Sequence, residues 1–117
     1  MSQAPIKIST DGGVTTVAFT ERSIIDEVMI QQIGEALLKL VDSQPAPKMV
    51  LSFVGVDHMS SAALGVLITV NSRVKARNGQ LRLSDIAKGI FEIFKITKLD
   101  KLFQTHATLE QAVKSLA

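Results

Sequence analysis

Between Lys48 and Ser84 the hydrophobic pattern changes its period twice, and this constrains the chain more than any other feature. "KMVLSF", Lys48–Phe53, is a short apolar run of strand length, suited to a strand buried on both faces. From about Ser61 to Asn78 the spacing becomes helical, with Ala63, Leu67, Val70 and Val74 on one stripe. "QLRLS", Gln80–Ser84, alternates again as a strand. A strand, a helix and a strand in this order call for a crossover between parallel strands, which is right-handed in almost all known sheets. Gly79 is expected to supply the left-handed residue that stops the helix. Arg73, Lys75 and Arg77 stand where the helix dipole favours cations.

The same alternation extends in both directions. Ile6–Thr10 and Val14–Phe19 are β-prone runs around Asp11-Gly12-Gly13, residues that tolerate the backbone of a tight hairpin. A phosphate loop at this turn is disfavoured, because no lysine follows and no helix opens there. Asp26 is placed to cap a helix running to about Ser43, with Ile30, Ile33, Leu37 and Leu40 on its core face. "SQPAP" ends that helix. Ile86–Thr97 reads as a helix with Ile90, Phe91 and Phe94 inward, and Leu102–Thr105 as a short strand. Thr108 and Gln111 have capping-box spacing ahead of Ala112, Val113 and Leu116, so a last helix is expected. The fold class is therefore α/β: a single domain over residues 1–117, with a mixed sheet of four to five strands that begins with a hairpin and about four helices packed on it.

Composition removes several functions. At 117 residues the chain can bury roughly two thirds of its unfolded surface and needs no staples. It has no cysteine, hence neither disulfides nor thiolate chemistry, which fits the cytoplasm. "MSQAPIKIST" has neither the basic nor the apolar region of a secretory signal, and no apolar run approaches the roughly 18 residues of a membrane span. Residues 1–60 carry a net charge of −3 and residues 61–117 a net charge of +5. The basic residues of the later half are scattered singly, without interleaved aromatics, so solvated helix faces explain them better than a nucleic-acid surface. His58 and His106 belong to no ligand cluster, and no dinucleotide fingerprint is present, so neither a metal nor another cofactor is expected.

The segment "DHMSSAALG", Asp57–Gly65, carries the functional question. Ser60 and Ser61 stand at a loop-to-helix junction, where one hydroxyl can cap the helix. A phosphate on the other would be tolerated by the free N–H groups and would add about −1.5 to −2 charges at the surface. Beyond them, Ala62, Gly65, Val66 and Thr69 form a small, weakly polar side where a solvated helix would carry Lys or Glu. The residues that would meet a partner are thus Asp57, His58, Met59, Ser60, Ser61, Ala62, Gly65, Val66 and Thr69. A small serine hydrolase using Ser61 with His58 is the alternative from another class, but residues this close in sequence rarely align acid, base and nucleophile.

The order of elements and these residues resemble a known family, the STAS domains, in particular the bacterial anti-sigma factor antagonists. "MVLSFVGVDHMSSAALGVLI", Met49–Ile68, is similar to the family's buried strand, loop and D-S-[ST]-G-L-G helix start, and "NGQLRLSDI" and "IFKITKLDKLF" are similar to its next strand and following helix. The resemblance implies a non-enzymatic regulator that binds an anti-sigma factor with a kinase-like ATP-binding fold, frees a sigma factor, and is reversed by phosphorylation. A homodimer is compatible with it. With Leu64 and Gly65 aligned to the motif's L-G, Ser60 takes the Asp position, Ser61 the first Ser, Ala62 the phosphoacceptor and Ala63 the Gly. Alanine accepts no phosphate, so the acceptor is Ser61, with Ser60 second, or the protein is a non-switching scaffold subunit of a signalling complex.

Overall fold

The computed structural model describes residues 4–116; residues 1–3 and 117, the ends of the expected domain, lie outside the described residues. The chain opens with β1 (Ile6–Asp11) and β2 (Val14–Phe19), an antiparallel hairpin in full register from Ile6 opposite Phe19 to Asp11 opposite Val14. Gly12 and Gly13 take φ of 57° and 81° at its turn, the left-handed region that side chains resist. A two-residue strand, β3 (Ser23–Ile24), precedes α1 (Glu27–Asp42). The Asp26 carboxylate accepts from the N–H of Met29 at 2.9 Å and caps α1.

Next come β4 (Lys48–Ser52), a second two-residue strand β5 (His58–Met59), α2 (Ser61–Ala76), β6 (Gln80–Ser84), α3 (Lys88–Ile96), α4 (Leu99–Leu102), β7 (Gln104–His106) and α5 (Leu109–Lys114). The main sheet has the order β1-β2-β4-β6-β7, in which β2, β4, β6 and β7 run parallel. The expected mixed sheet is present, with five strands and five helices. Apart from it, β3 and β5 pair in parallel as a separate two-stranded ribbon.

Alternation along the strands sends neighbouring side chains to opposite faces. Met49, Leu51, Leu81 and Leu83 join the larger core with Ile30, Ile33 and Leu37 of α1, Leu67, Val70 and Val74 of α2, and Ile90 and Phe94 of α3. Val14 and Val50 face the other way, against Ala112 and Leu116 near the chain's end. The C-terminal halves of α1 and α2 are also tied by polar contacts. The Arg73 guanidinium donates to both Asp42 oxygens at 2.7 and 2.8 Å, and Arg77 donates to the Gln44 carbonyl at 2.6 and 2.9 Å.

Several details differ from the sequence expectation. Asn78, with φ of 59°, is the left-handed residue after α2, and Gly79 is needed for room instead. A Cβ there would strike the Pro47 carbonyl oxygen and come within 2.8 and 2.9 Å of two Pro47 ring carbons. The helix expected over Ile86–Thr97 begins at Lys88, and a second helical turn, α4, follows a left-handed Lys98 with φ of 62°. The strand expected over Leu102–Thr105 forms at Gln104–His106, because Leu102 closes α4. Phe91 is half-buried, whereas Ile90 and Phe94 are fully inward, the ring of Phe94 lying 5.9 Å from that of Phe103.

Candidate functional site

The site is assembled by the segment that joins β4 to α2. Gly55, at φ of 82°, turns the chain, and the N–H of Val56 closes the turn on the carbonyl of Phe53 at 3.0 Å. The backbone then lies down beside β3. Asp57 and His58 N–H groups both donate to the Arg22 carbonyl, at 2.7 and 3.2 Å, and Ser60 N–H donates to the Ile24 carbonyl at 3.1 Å. The Arg22 guanidinium pairs with the Asp57 carboxylate, its Nε at 2.9 Å from Oδ2. These bonds fix the approach to α2 before the helix begins.

The two serines have different tasks. Ser60 is the N-cap: its backbone is extended (φ −85°, ψ 167°) and its Oγ accepts from the N–H of Ala63 at 3.2 Å. Ser61 is the first helical residue and is exposed, and among the described residues its hydroxyl has no side-chain hydrogen bond. No acidic residue occupies the first turn of α2, so the positive end of the dipole is left uncompensated by side chains.

Ala62, Gly65 and Thr69 are exposed along one side of α2. Nothing lies within 4 Å of where a Cβ on Gly65 would stand. The Thr69 hydroxyl turns back to donate to the Gly65 carbonyl at 3.1 Å, so this side presents methyl groups and backbone to its surroundings. Val66 departs from the group: it is half-buried, packed against α1 beside Gly34. Met59 is half-buried on the core and His58 is exposed.

Sequence reasoning missed Ile25, Val28 and Ile68. Ile25 and Val28 are 58% and 63% exposed at the start of α1, and Ile25 directly follows the residue whose carbonyl receives the Ser60 N–H. Ile68 adds an exposed aliphatic group to α2. The doublet Ile24-Ile25 held the signal, since in an extended segment two successive side chains point to opposite sides.

A serine-hydrolase relay is not assembled. Asp57 is engaged by Arg22, Ser60 Oγ accepts the cap N–H, and no hydrogen bond joins His58 to either serine among the described residues. A nucleophile without a base in reach stays a weak alcohol.

The STAS domain model matches residues 6–112 of the chain. The protein belongs to the STAS domain family. Solved STAS structures share its architecture at low identity. An anti-sigma-factor antagonist (STAS) domain protein from Planctomyces limnophilus superposes with a TM-score of 0.87 at 19% identity, covering 95% of this chain and 97% of that one. An anti-sigma factor antagonist from Mycobacterium paratuberculosis gives 0.80 at 23% identity, covering 98% of each chain. A sulfate transporter family protein from Wolinella succinogenes gives 0.74 at 11% identity, covering 92% of this chain and 88% of that one. The STAS fold thus serves proteins of more than one description, and the function of this domain has to be argued from its own surface.

Proposed function

We propose that this STAS domain acts over its whole length, residues 1–117, as a cytoplasmic protein-binding regulator of the anti-sigma factor antagonist type and not as an enzyme. Its partner is an anti-sigma factor with a kinase-like ATP-binding fold, which docks on Asp57–Ala62 and on the small-residue side of α2 at Gly65 and Thr69, with the half-buried Val66 at its border towards α1. Ser61 is the phosphate acceptor. The observation that carries this reading is the division of labour between the serines: Ser60 Oγ is held by the cap, while Ser61 is exposed at the opening of a 16-residue helix with no acidic neighbour in its first turn. A phosphate on Ser61 would sit at the positive end of that helix without disturbing the cap, and its charge would oppose a partner surface fitted to the neutral form. A second reading, a scaffold that binds without switching, is favoured by one observation: the motif's acceptor position holds Ala62.

Affinity capture from native lysate with and without ATP, read by mass spectrometry, separates the two. Recovery of the anti-sigma factor, phosphate on Ser61, and loss of recovery with Ser61→Asp and Ala62→Arg support the switch. The same partner without phosphate, even when ATP is supplied, supports the scaffold. Recovery that survives both substitutions places the interface elsewhere and overturns the proposed site.

A further inference from the structure

Strand β1 lies at one side of the main sheet, paired to β2 and, among the described residues, to no other strand. The Thr20 N–H donates to the Pro5 carbonyl at 2.9 Å, which fixes the phase of this ladder. Bonded positions alternate along an antiparallel pair, so Lys7, Ser9 and Asp11 bond towards β2, while Ile8 and Thr10 turn their N–H and C=O groups away from it. Ile6 shares the outward phase, but its N–H already donates to the Ala4 carbonyl at 2.8 Å. The free main chain of β1 is therefore centred on Ile8 and Thr10, both of them exposed.

Side chains divide between the two faces of the strand. Ile8 stands opposite Val17 of the larger core, on the face that α1 covers, and is itself 49% exposed. There it borders an open groove of about 290 Å3 together with Ala36, Lys39, Leu40 and Ser43. Lys7, Ser9 and Asp11 project from the other face and are exposed. Neither Lys7 nor Asp11 has an ion-pair partner among the described residues.

The complement of this pattern is the pattern itself. Two copies of β1 laid antiparallel about a two-fold axis at Ser9 set Ile8 opposite Thr10 of the second copy, and Thr10 opposite its Ile8. Both pairs then join outward-facing residues, which exchange N–H and C=O groups in each direction. Lys7 meets Asp11 of the second copy at a non-hydrogen-bonded position, where side chains approach more closely and opposite charges stabilise a sheet. Symmetry repeats that ion pair at the other end. An axis at Ile8 or at Thr10 keeps the bonding phase but sets Lys7 or Asp11 opposite Ser9, and parallel pairing in register sets like charges together. On the α1 face, the two Ile8 side chains become diagonal neighbours beside their grooves. We infer that the protein forms a homodimer through β1, in which the two five-stranded sheets continue into one another. The contact is isologous and closes at two chains. Neither the partner interface nor Ser61 enters this inference.

Sedimentation velocity on the full chain, from about 1 μM to about 1 mM, tests it and should show a monomer–dimer equilibrium. Lys7→Glu places two carboxylates opposite each other at both ends of the contact and should weaken dimerisation by about tenfold or more. Combining Lys7→Glu with Asp11→Lys restores opposite charges and should recover the dimer. Thr10→Pro removes an N–H that faces away from β2, a place where a strand accepts proline, and should weaken dimerisation by about tenfold or more with an unchanged circular-dichroism spectrum. The inference is overturned if the chain stays monomeric throughout, if Lys7→Glu or Thr10→Pro dimerises as well as the unaltered chain, or if reversing both charges fails to recover association.

Discussion

Ser60 and Ser61 are adjacent and chemically identical, yet the structure gives them unequal thermodynamic weight. Ser60→Ala removes the acceptor for the Ala63 N–H and should cost about 1 kcal/mol in urea unfolding. Ser61→Ala should stay within about 0.5 kcal/mol, as an exposed substitution away from caps and core does. Equal losses would mean that the cap is shared. Asn78 and Gly79 make a similar pair. Gly79→Ala should destabilise by about 1–3 kcal/mol, because the obstacle is the Pro47 backbone and ring and not a movable side-chain tip. Asn78→Val should lose about 1–2 kcal/mol at its left-handed φ, while Asn78→Gly should not. The sequence placed a stop signal at this pair correctly and assigned it to the wrong residue. Glycine at a helix end usually means freedom of φ, and the closeness of Pro47 is a tertiary fact that local pattern cannot contain.

Among the elements, α2 joins a core stripe to a smooth outer side. Leu67→Ala should cost about 2–5 kcal/mol by leaving a cavity under the helix, whereas Ile68→Ala should be close to neutral for stability. If the docking proposal is right, Ile68→Ala weakens partner capture without changing the unfolding midpoint. Long elements were legible because each carried several periods of its pattern: the hairpin, both long helices with the Asp26 cap of α1, and the central strands. The ribbon of β3 and β5 was not, since two residues hold no periodicity. The break between α3 and α4 was hidden for a related reason, as Lys98 belongs to a residue type that gives no breaking signal. Half of the candidate site was legible as well: the junction and the small residues could be read from spacing, but the burial of Val66 against α1 and the exposure of Ile25 depend on how two helices meet.

For the molecule as a whole, the sheet's two faces are unequally defended. One is covered by α1, α2 and α3 over an extended core, and the other rests on a cluster of Val14, Val50, Ala112 and Leu116 under a six-residue helix. Local opening follows contact density, so α5 amides should exchange with solvent before those of α2 in native-state hydrogen exchange. Simultaneous exchange of both helices would indicate one cooperative unit. Ser84 Oγ, Asp85 Oδ2 and His106 Nε2, buried and without a hydrogen-bond partner among the described residues, also belong to this scale, because strand register brings residue 106 to residues 84 and 85. The strand order has a further consequence at the rims. One border of the sheet is the six-residue β1 and the other is the three-residue β7. Lateral growth by strand addition therefore has only one rim long enough to template it, and there the exposed ammonium of Lys7 acts as a guard against runaway polymerisation.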